Sequence, residues 1–488
     1  MVKGTLISQN RGSIVQVDNE AITDNSGSIR IFKRIPALSG REFILLSSPM
    51  TAETRQGAYG NADRVFELIP ANFSPYPNFT GAINFIDDNG DHLTNSFPVL
   101  EPGIGYTVFP QHGSASQTST FFHEYSQGTL NNGEILQFVN YNGPTTENNF
   151  NILGNPYASA IDTDMFIAHN NAINEVYFWE HNTLPSANFP GPNPSNFSMD
   201  DVSIRNIGMG IPAPSGGSAP GRFMSSAQGF MILAQQDMDG LPVTFNNDMR
   251  VEINNSQPRS LSTSNKIVLG LHSLDNKWSS YTGIMFDERC SLHYDTGFDS
   301  ERLDTSIALF STLDNGTQLA IQGRESFNKN ISINLGFSSR LESAIAYKIE
   351  LDQLEGLNIS SKGIYLLDHK TNTRVDLTKT DYEFIAKPGL QENRFSLFFQ
   401  NADNNLENLI LNEDKVRLYP NPAEDFLQID AIDKIRKVII YNSIGNKMFV
   451  DNMDQHSCTL NLGQLSAGIY FASIETTSGM FTKKFVLR

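Results

Sequence analysis

Asp87-Asp88-Asn89-Gly90-Asp91 sets several side-chain oxygens on one tight turn, which is what a hard cation such as calcium needs. Asn-Gly also suits the positive φ of a plain hairpin turn, and no Glu closes an EF-hand loop here. Asp87, Asp88 and Asp91 are therefore candidate ligands for a structural calcium, with the turn as the favoured alternative. Asp295, Asp299, Glu301 and Asp304 form a second acidic group that could bind an ion, with a solvated face as the favoured alternative. Tyr177, Phe178 and Trp179 precede a Pro- and Asn-rich stretch over 185–198, and their rings offer platforms for the apolar face of a sugar. One face of an alternating run is core, so Tyr177 and Trp179 are candidate glycan contacts against a core alternative. His112 beside Gly113-Ser114-Ala115-Ser116 is the nearest approach to a serine nucleophile, but neither Ser has a Gly two residues later. The nine His are scattered singly, and no P-loop, Rossmann glycine fingerprint or His-Glu-Xaa-Xaa-His is present. We assign no catalytic residue and no cofactor.

The elements that must position these residues are strands. Charged residues make up only 18% of the chain, and Gly (36) and Phe (33) far outnumber Trp (2), as in many short strands joined by turns. The length of 488 residues predicts about two to four domains. A net charge of −18 argues against a nucleic-acid partner, which needs clustered Lys and Arg. Two cysteines, Cys290 and Cys458, exclude a disulfide framework. No apolar run approaches the length of a membrane helix. Residues 4–50 alternate with period two, and short apolar runs recur between turn clusters to 255. Ile161–Ile167 is predicted as a short helix capped by Asp162. The stretch 254–265 lacks an apolar pattern and reads as a joint. Tyr347–Leu351 and Arg394–Phe399 are predicted as paired strands of a middle β-sandwich over 266–400. Residues 401–414 read as a linker.

The C-terminal segment 412–488 opens with Leu418-Tyr419-Pro420-Asn421-Pro422-Ala423. It continues through Ile439-Ile440-Tyr441-Asn442 with Gly445, then Gly468-Ile469-Tyr470 and Gly479, and ends in Lys483-Lys484-Phe485-Val486-Leu487-Arg488. In this order and position the segment resembles the type A C-terminal sorting domain of the Bacteroidetes type IX (Por) secretion system. The resemblance implies an Ig-like β-sandwich that acts as a secretion signal. Its motif residues here are Tyr419, Pro420, Asn421, Pro422, Gly445, Gly468, Tyr470 and Gly479. It implies as partners the translocon barrel, a PorV-type outer-membrane shuttle and a sortase, and a place at the cell surface attached to the outer membrane. Val416, Leu418, Phe426, Leu427, Ile429, Val438, Ile440, Leu460, Leu462, Ile469, Phe471 and Ile474 alternate and are expected to fill its core. Gly445 and Gly468 suit turns of positive φ. In the extended tail Phe485 and Leu487 share one side and Lys484 and Val486 the other, which makes 483–488 the expected shuttle-docking strand. The final strand of a sandwich is the structural alternative.

A second resemblance spans 4–255. Ser13–Asn19, Leu46-Ser47-Ser48-Pro49, Gly103-Ile104-Gly105-Tyr106, Leu153–Tyr157, Gln228-Gly229-Phe230 and Phe245–Arg250 recur in that order in the β regions of large surface proteins from gliding and adherent Bacteroidetes. It implies location and style, not an activity. The opening residues alternate as in mid-domain and no apolar signal core precedes them, so the chain reads as the C-terminal part of a longer precursor. The expectation is an all-β chain in three regions, 1–255, 266–400 and 412–488. It is expected to be a non-enzymatic, adhesin-like surface protein exported by type IX secretion. The alternatives are the accessory part of a secreted enzyme and a carbohydrate-binding module.

Overall fold

The computed structural model of the protein describes all residues except 1, 36–37, 39–41, 78–85, 111–120, 188, 190–195, 253–264, 329, 357–358, 360–361, 402–415, 443–445 and 478. Half of the chain is strand and 6% helix, which makes it all-β as its alternation predicts. Two compact units form, Met1–Ala402 and Asp403–Arg488.

The first half of the larger unit is built on a tight junction of two strand pairs. Ile44–Leu46 pairs with Tyr106–Phe109, and Phe150–Gly154 pairs with Gly229–Leu233. Where these pairs meet, a Cβ on Gly154 would lie 2.3 Å from Cβ of Ser47, and one on Gly105 would lie 2.4 Å from the Leu153 oxygen. Glycine is required there because a Cβ at 105 would strike the Leu153 carbonyl and one at 154 the Ser47 side chain. Gly105 N–H donates to Ile152 O at 3.1 Å, Ser47 N–H to Ala227 O at 2.9 Å and Asn155 N–H to Gln228 O at 2.9 Å. Four of the recurring motifs are thus parts of one junction. The remaining two meet beside it. Arg250 donates to Ile14 O at 2.6 Å and to Asn247 Oδ1 at 3.0 Å and lies over the Tyr157 ring, while Asn247 N–H donates to Asn19 Oδ1 at 3.0 Å. The abundant asparagines act as internal backbone staples. Asn155 Nδ2 donates to the carbonyls of Ser159, Met224 and Ser225. The predicted helix forms as Thr163–His169, with the Asp162 side chain accepting from Asp164 N–H.

From Asn265 to Asn401 the chain forms one mixed sheet of eleven strands. The sheet rolls over on itself, so that Phe384 at one end of the strand order meets Phe337 at 5.4 Å and Phe395 at 5.3 Å from strands toward the other end. The expected pairing of Tyr347–Leu351 with Arg394–Phe399 does not occur. Ile345–Glu355 bonds to Asn265–Ser273 and Tyr382–Ala386, whereas Gly389–Asn401 bonds to Ser332–Ser339 and Lys362–Asp368. Their shared apolar pattern reflects one core, on which both supply inward faces. The two halves also join. Tyr177, Val202 and Ile204 pack with Val268, Met285 and Ile321 in one cluster, and Ile207 N–H donates to Gly297 O at 2.8 Å.

In the smaller unit Val416–Tyr419 pairs with the 17-residue strand Phe426–Asn442. That strand also pairs with Lys447–Asn461 and Gly468–Thr476, and Gly479–Leu487 completes the sheet. Register shifts between Asp430 and Lys437 bend the long strand around a core that includes Val416, Ile429, Val438, Leu460, Ile474 and Phe485. Three expected core residues face out instead: Phe426, Ile469 and Phe471 are 54%, 44% and 36% exposed. Tyr470 and Ala472 take the inward parity of the strand Gly468–Thr476, which leaves Ile469 and Phe471 on the other face.

Candidate functional site

The opening motif and the tail of the smaller unit, 63 and 65 positions apart at their bonded residues, interlock. Proline has no N–H and cannot continue a ladder, so the Pro-Asn-Pro stretch needs another means of joining the sheet. The Asn421 amide supplies it: Nδ2 donates to Lys484 O at 3.2 Å and Oδ1 accepts from Val486 N–H at 2.9 Å. Backbone bonds take over immediately after, with Ala423 N–H donating to Val486 O at 2.7 Å and Arg488 N–H to Ala423 O at 2.9 Å. The peptide bonds preceding Pro420 and Pro422 are both cis. The Tyr419 phenol donates to Asp430 and is raised above its ordinary value by that bond. Asp430 is held below the usual carboxylate range by bonds from Ser457, Tyr419 and Gln428.

Tyr470 is buried, its ring stacked on Phe485 at 5.7 Å and its O–H donating to Ser466 O at 2.7 Å. Gly468 opens its strand with no positive φ, and a Cβ there would meet nothing closer than 3.8 Å, so the expected turn role does not hold. Gly479 begins the final strand opposite Thr476, and Gly445 lies outside the described residues. The tail keeps its predicted two sides. Phe485 and Leu487 are 0% and 3% exposed, Val486 and Lys483 are half-buried, and Lys484 and Arg488 are exposed. Phe485 and Leu487 therefore fill the core and are not free to dock, because the final strand pairs from Gly479 to Leu487 with its neighbour.

The other candidates resolve into scaffold. Asp87 accepts from the backbone N–H groups of Ser74 and Gly90 and faces His92 at 3.2 Å. Burial would raise it, but these donors and His92 outweigh burial and hold it below the usual range. Asp88 and Asp91 are exposed, and among the described residues no group of three or more His, Cys, Asp or Glu is placed to hold a metal ion. Asp299, expected on a solvated face, is fully buried and accepts from Gly323 and Asp295 N–H at 2.7 and 2.8 Å; burial pushes it up to about 6. Tyr177 is 1% exposed in the core between the two halves, which leaves no ring face for a sugar. Trp179 is half-buried against Phe43 at 4.9 Å and Phe197 at 5.7 Å. His112 and Ser114 lie outside the described residues. Sequence reading missed Glu175, a buried carboxyl with no motif around it, and it missed the partners of Asn421, since nothing local marks a contact across the length of a domain.

The comparisons divide the chain at the same place as its structure. A family model described as a domain of unknown function, DUF8693, matches residues 1–399. A model of the secretion system C-terminal sorting domain matches residues 417–488. No curated protein matches the chain. Among solved structures, PorZ, a surface component of the type IX secretion system of Porphyromonas gingivalis, is similar at 14% identity over 20% of this chain and 14% of its own, with a TM-score of 0.15. A polysaccharide lyase is similar at 7% identity over 47% of this chain and 40% of its own, with a TM-score of 0.15. The BSP domain of a biofilm associated protein is similar at 8% identity over 97% and 99%, with a TM-score of 0.13. The chain thus spans less than half the length of the first two, and scores this low carry no argument about fold or activity. The sorting domain makes the chain a cargo of type IX secretion, carried across the outer membrane. Among the described residues no helix is long and apolar enough to cross a membrane. With one family model covering both halves of the larger unit, the chain belongs to the DUF8693 family and carries a secretion system C-terminal sorting domain behind it.

Proposed function

We propose that the protein is a non-enzymatic, adhesin-like surface protein whose C-terminal unit is received by a PorV-type outer-membrane shuttle after passing the translocon barrel. A sortase then removes that unit and attaches the remainder to the cell surface. The observation that carries the reading is the interlock of Asn421 and Ala423 with Lys484, Val486 and Arg488. It joins the two ends of the sorting segment into one folded surface, so the signal is a shape rather than a linear tag. The non-enzymatic part is supported by how the larger unit uses its polar side chains. Asn155, Asn247, Arg250 and Asp299 are committed to holding backbone. Fusing residues 405–488 to a periplasmic fluorescent protein tests the signal in a host that has the system. Surface fluorescence is expected, and a fusion that stays in the periplasm overturns the proposal.

A further inference from the structure

We propose that the outer face of the C-terminal sheet is the docking surface for the shuttle, and that the shuttle meets it with an apolar protein surface flanked by carboxylates. This rests on the reading that the C-terminal unit binds the secretion machinery, and it narrows that reading to one face and one chemistry.

Strand registers alone define the face. Val450 pairs with Ile439, Ile439 with Ser473 and Ser473 with Thr482 in one row. Lys447 pairs with Tyr441, Tyr441 with Phe471 and Phe471 with Lys484 in the next. Ile469 pairs with Val486 beyond it. The opposite parity, with Val438, Ile440, Tyr470, Ala472, Ile474 and Phe485, is the core. An antiparallel sheet with one covered face is expected to be polar on the other. Here both parities are apolar: Val450 on one strand and Ile469 and Phe471 on another stand exposed, on either side of half-buried Ile439 and Tyr441. A contiguous apolar patch of this kind marks an interaction site.

Charge selects the occupant. The aromatic row begins and ends in an exposed lysine, Lys447 and Lys484, and the rows from Lys447 to Lys484 and from Ile469 to Val486 hold no Asp or Glu. Three strand spacings separate the two ammonium-bearing positions, about 14 Å. Residues 416–488 carry eight Lys and Arg against seven Asp and Glu, so this unit does not share the acidity of the rest of the chain and does not repel an acidic partner. A second copy laid face to face would bring lysines together, which disfavours self-association. Ile439, Tyr441 and Val486 are half-buried between their neighbours, so the face is flat and offers no protruding wedge to an acyl layer.

The test measures binding of the full chain to the purified PorV-type shuttle barrel in detergent, with circular dichroism melting as the control for folding. Lys447→Glu with Lys484→Glu changes only exposed positions and is expected to weaken binding about tenfold. Ile469→Thr with Phe471→Thr keeps strand-forming residues and is expected to weaken it about a hundredfold. Unchanged affinity in both folded double variants overturns the inference while leaving the broader reading intact. A wild-type chain that does not bind the barrel defeats the broader reading and the inference together. Two other results overturn the inference: wild-type binding to anionic phosphatidylglycerol vesicles that is lost in the lysine variant while barrel binding is kept, or a wild-type dimer in sedimentation that the Ile469/Phe471 variant dissolves.

Discussion

Glu175 lies where the two halves of the larger unit meet, its Oε1 accepting the Tyr177 O–H at 2.6 Å. Burial raises its carboxyl to about 7 from the ordinary value of 4.5, against the lowering effect of bonds from Tyr177 and Ser300. The folded chain therefore holds a proton up to about pH 7 that the unfolded chain releases near 4.5. The stability linked to this group is fully present below pH 4.5 and is lost as pH rises through about 7. Glu175→Gln keeps the shape and removes the titration. It should melt close to wild type at pH 4.5 and above it at pH 8, by at most about 3 kcal/mol. A variant whose melting temperature falls with pH as the wild type's does would show that Glu175 is not the group responsible. At the same scale, Asp299 and Asp87 show why acidic clusters mislead: each carboxylate accepts from backbone N–H groups, a use that residue type and spacing do not separate from ion binding.

The final strand is the element on which structure and function bear most directly. Gly479–Leu487 runs antiparallel to Gly468–Thr476 along its whole length, with Phe485 and Leu487 inward. Removing 485–488 deletes two buried side chains, each worth about 1.5–3 kcal/mol, together with the backbone bonds to Ala423. The truncated smaller unit should melt more than about 10 °C below the intact one in scanning calorimetry of the full chain. An unchanged transition would mean that the tail is an appendage and not a strand. The outer side of the same strand, with Lys484 and Val486, stays available while the inner side holds the core, so one element both closes the fold and presents a surface.

For the whole molecule, the joint over 254–265 and the one over 401–414 look alike in composition but separate different things. Across the first, Tyr177, Val202 and Ile204 share a core with Val268, Met285 and Ile321. The second lies where the chain divides into its two compact units. Limited proteolysis should therefore cut near 401–414 and leave the smaller unit as a fragment with a melting transition of its own. A nick within 254–265 should leave two pieces that co-elute in gel filtration under native conditions. Pieces that separate after that nick would contradict the shared core.

Period-two alternation was enough to establish the all-β class and the two sides of the tail, and the cap at Asp162 was enough to place the short helix after it, because each depends on residues close together in the chain. The ordered motifs of 412–488 were enough to mark a sorting segment. Tertiary structure alone decided the rest. Alternation states that a strand has two faces but not which strand lies beside it, so Ile345–Glu355 and Gly389–Asn401 read as partners and are not. Where both parities are apolar, as at Ile469, Tyr470 and Phe471, only the register of neighbouring strands says which face is core. Gly105 and Gly154 stand in the sequence only as members of recurring motifs, and the Leu153 carbonyl and the Ser47 side chain that leave no room for a Cβ on them are brought there by the tertiary fold. Asn421 reads as a motif letter until Val486 is placed against it, since a hydrogen bond spanning 65 positions is set by how the intervening strands fold and not by any residue between them.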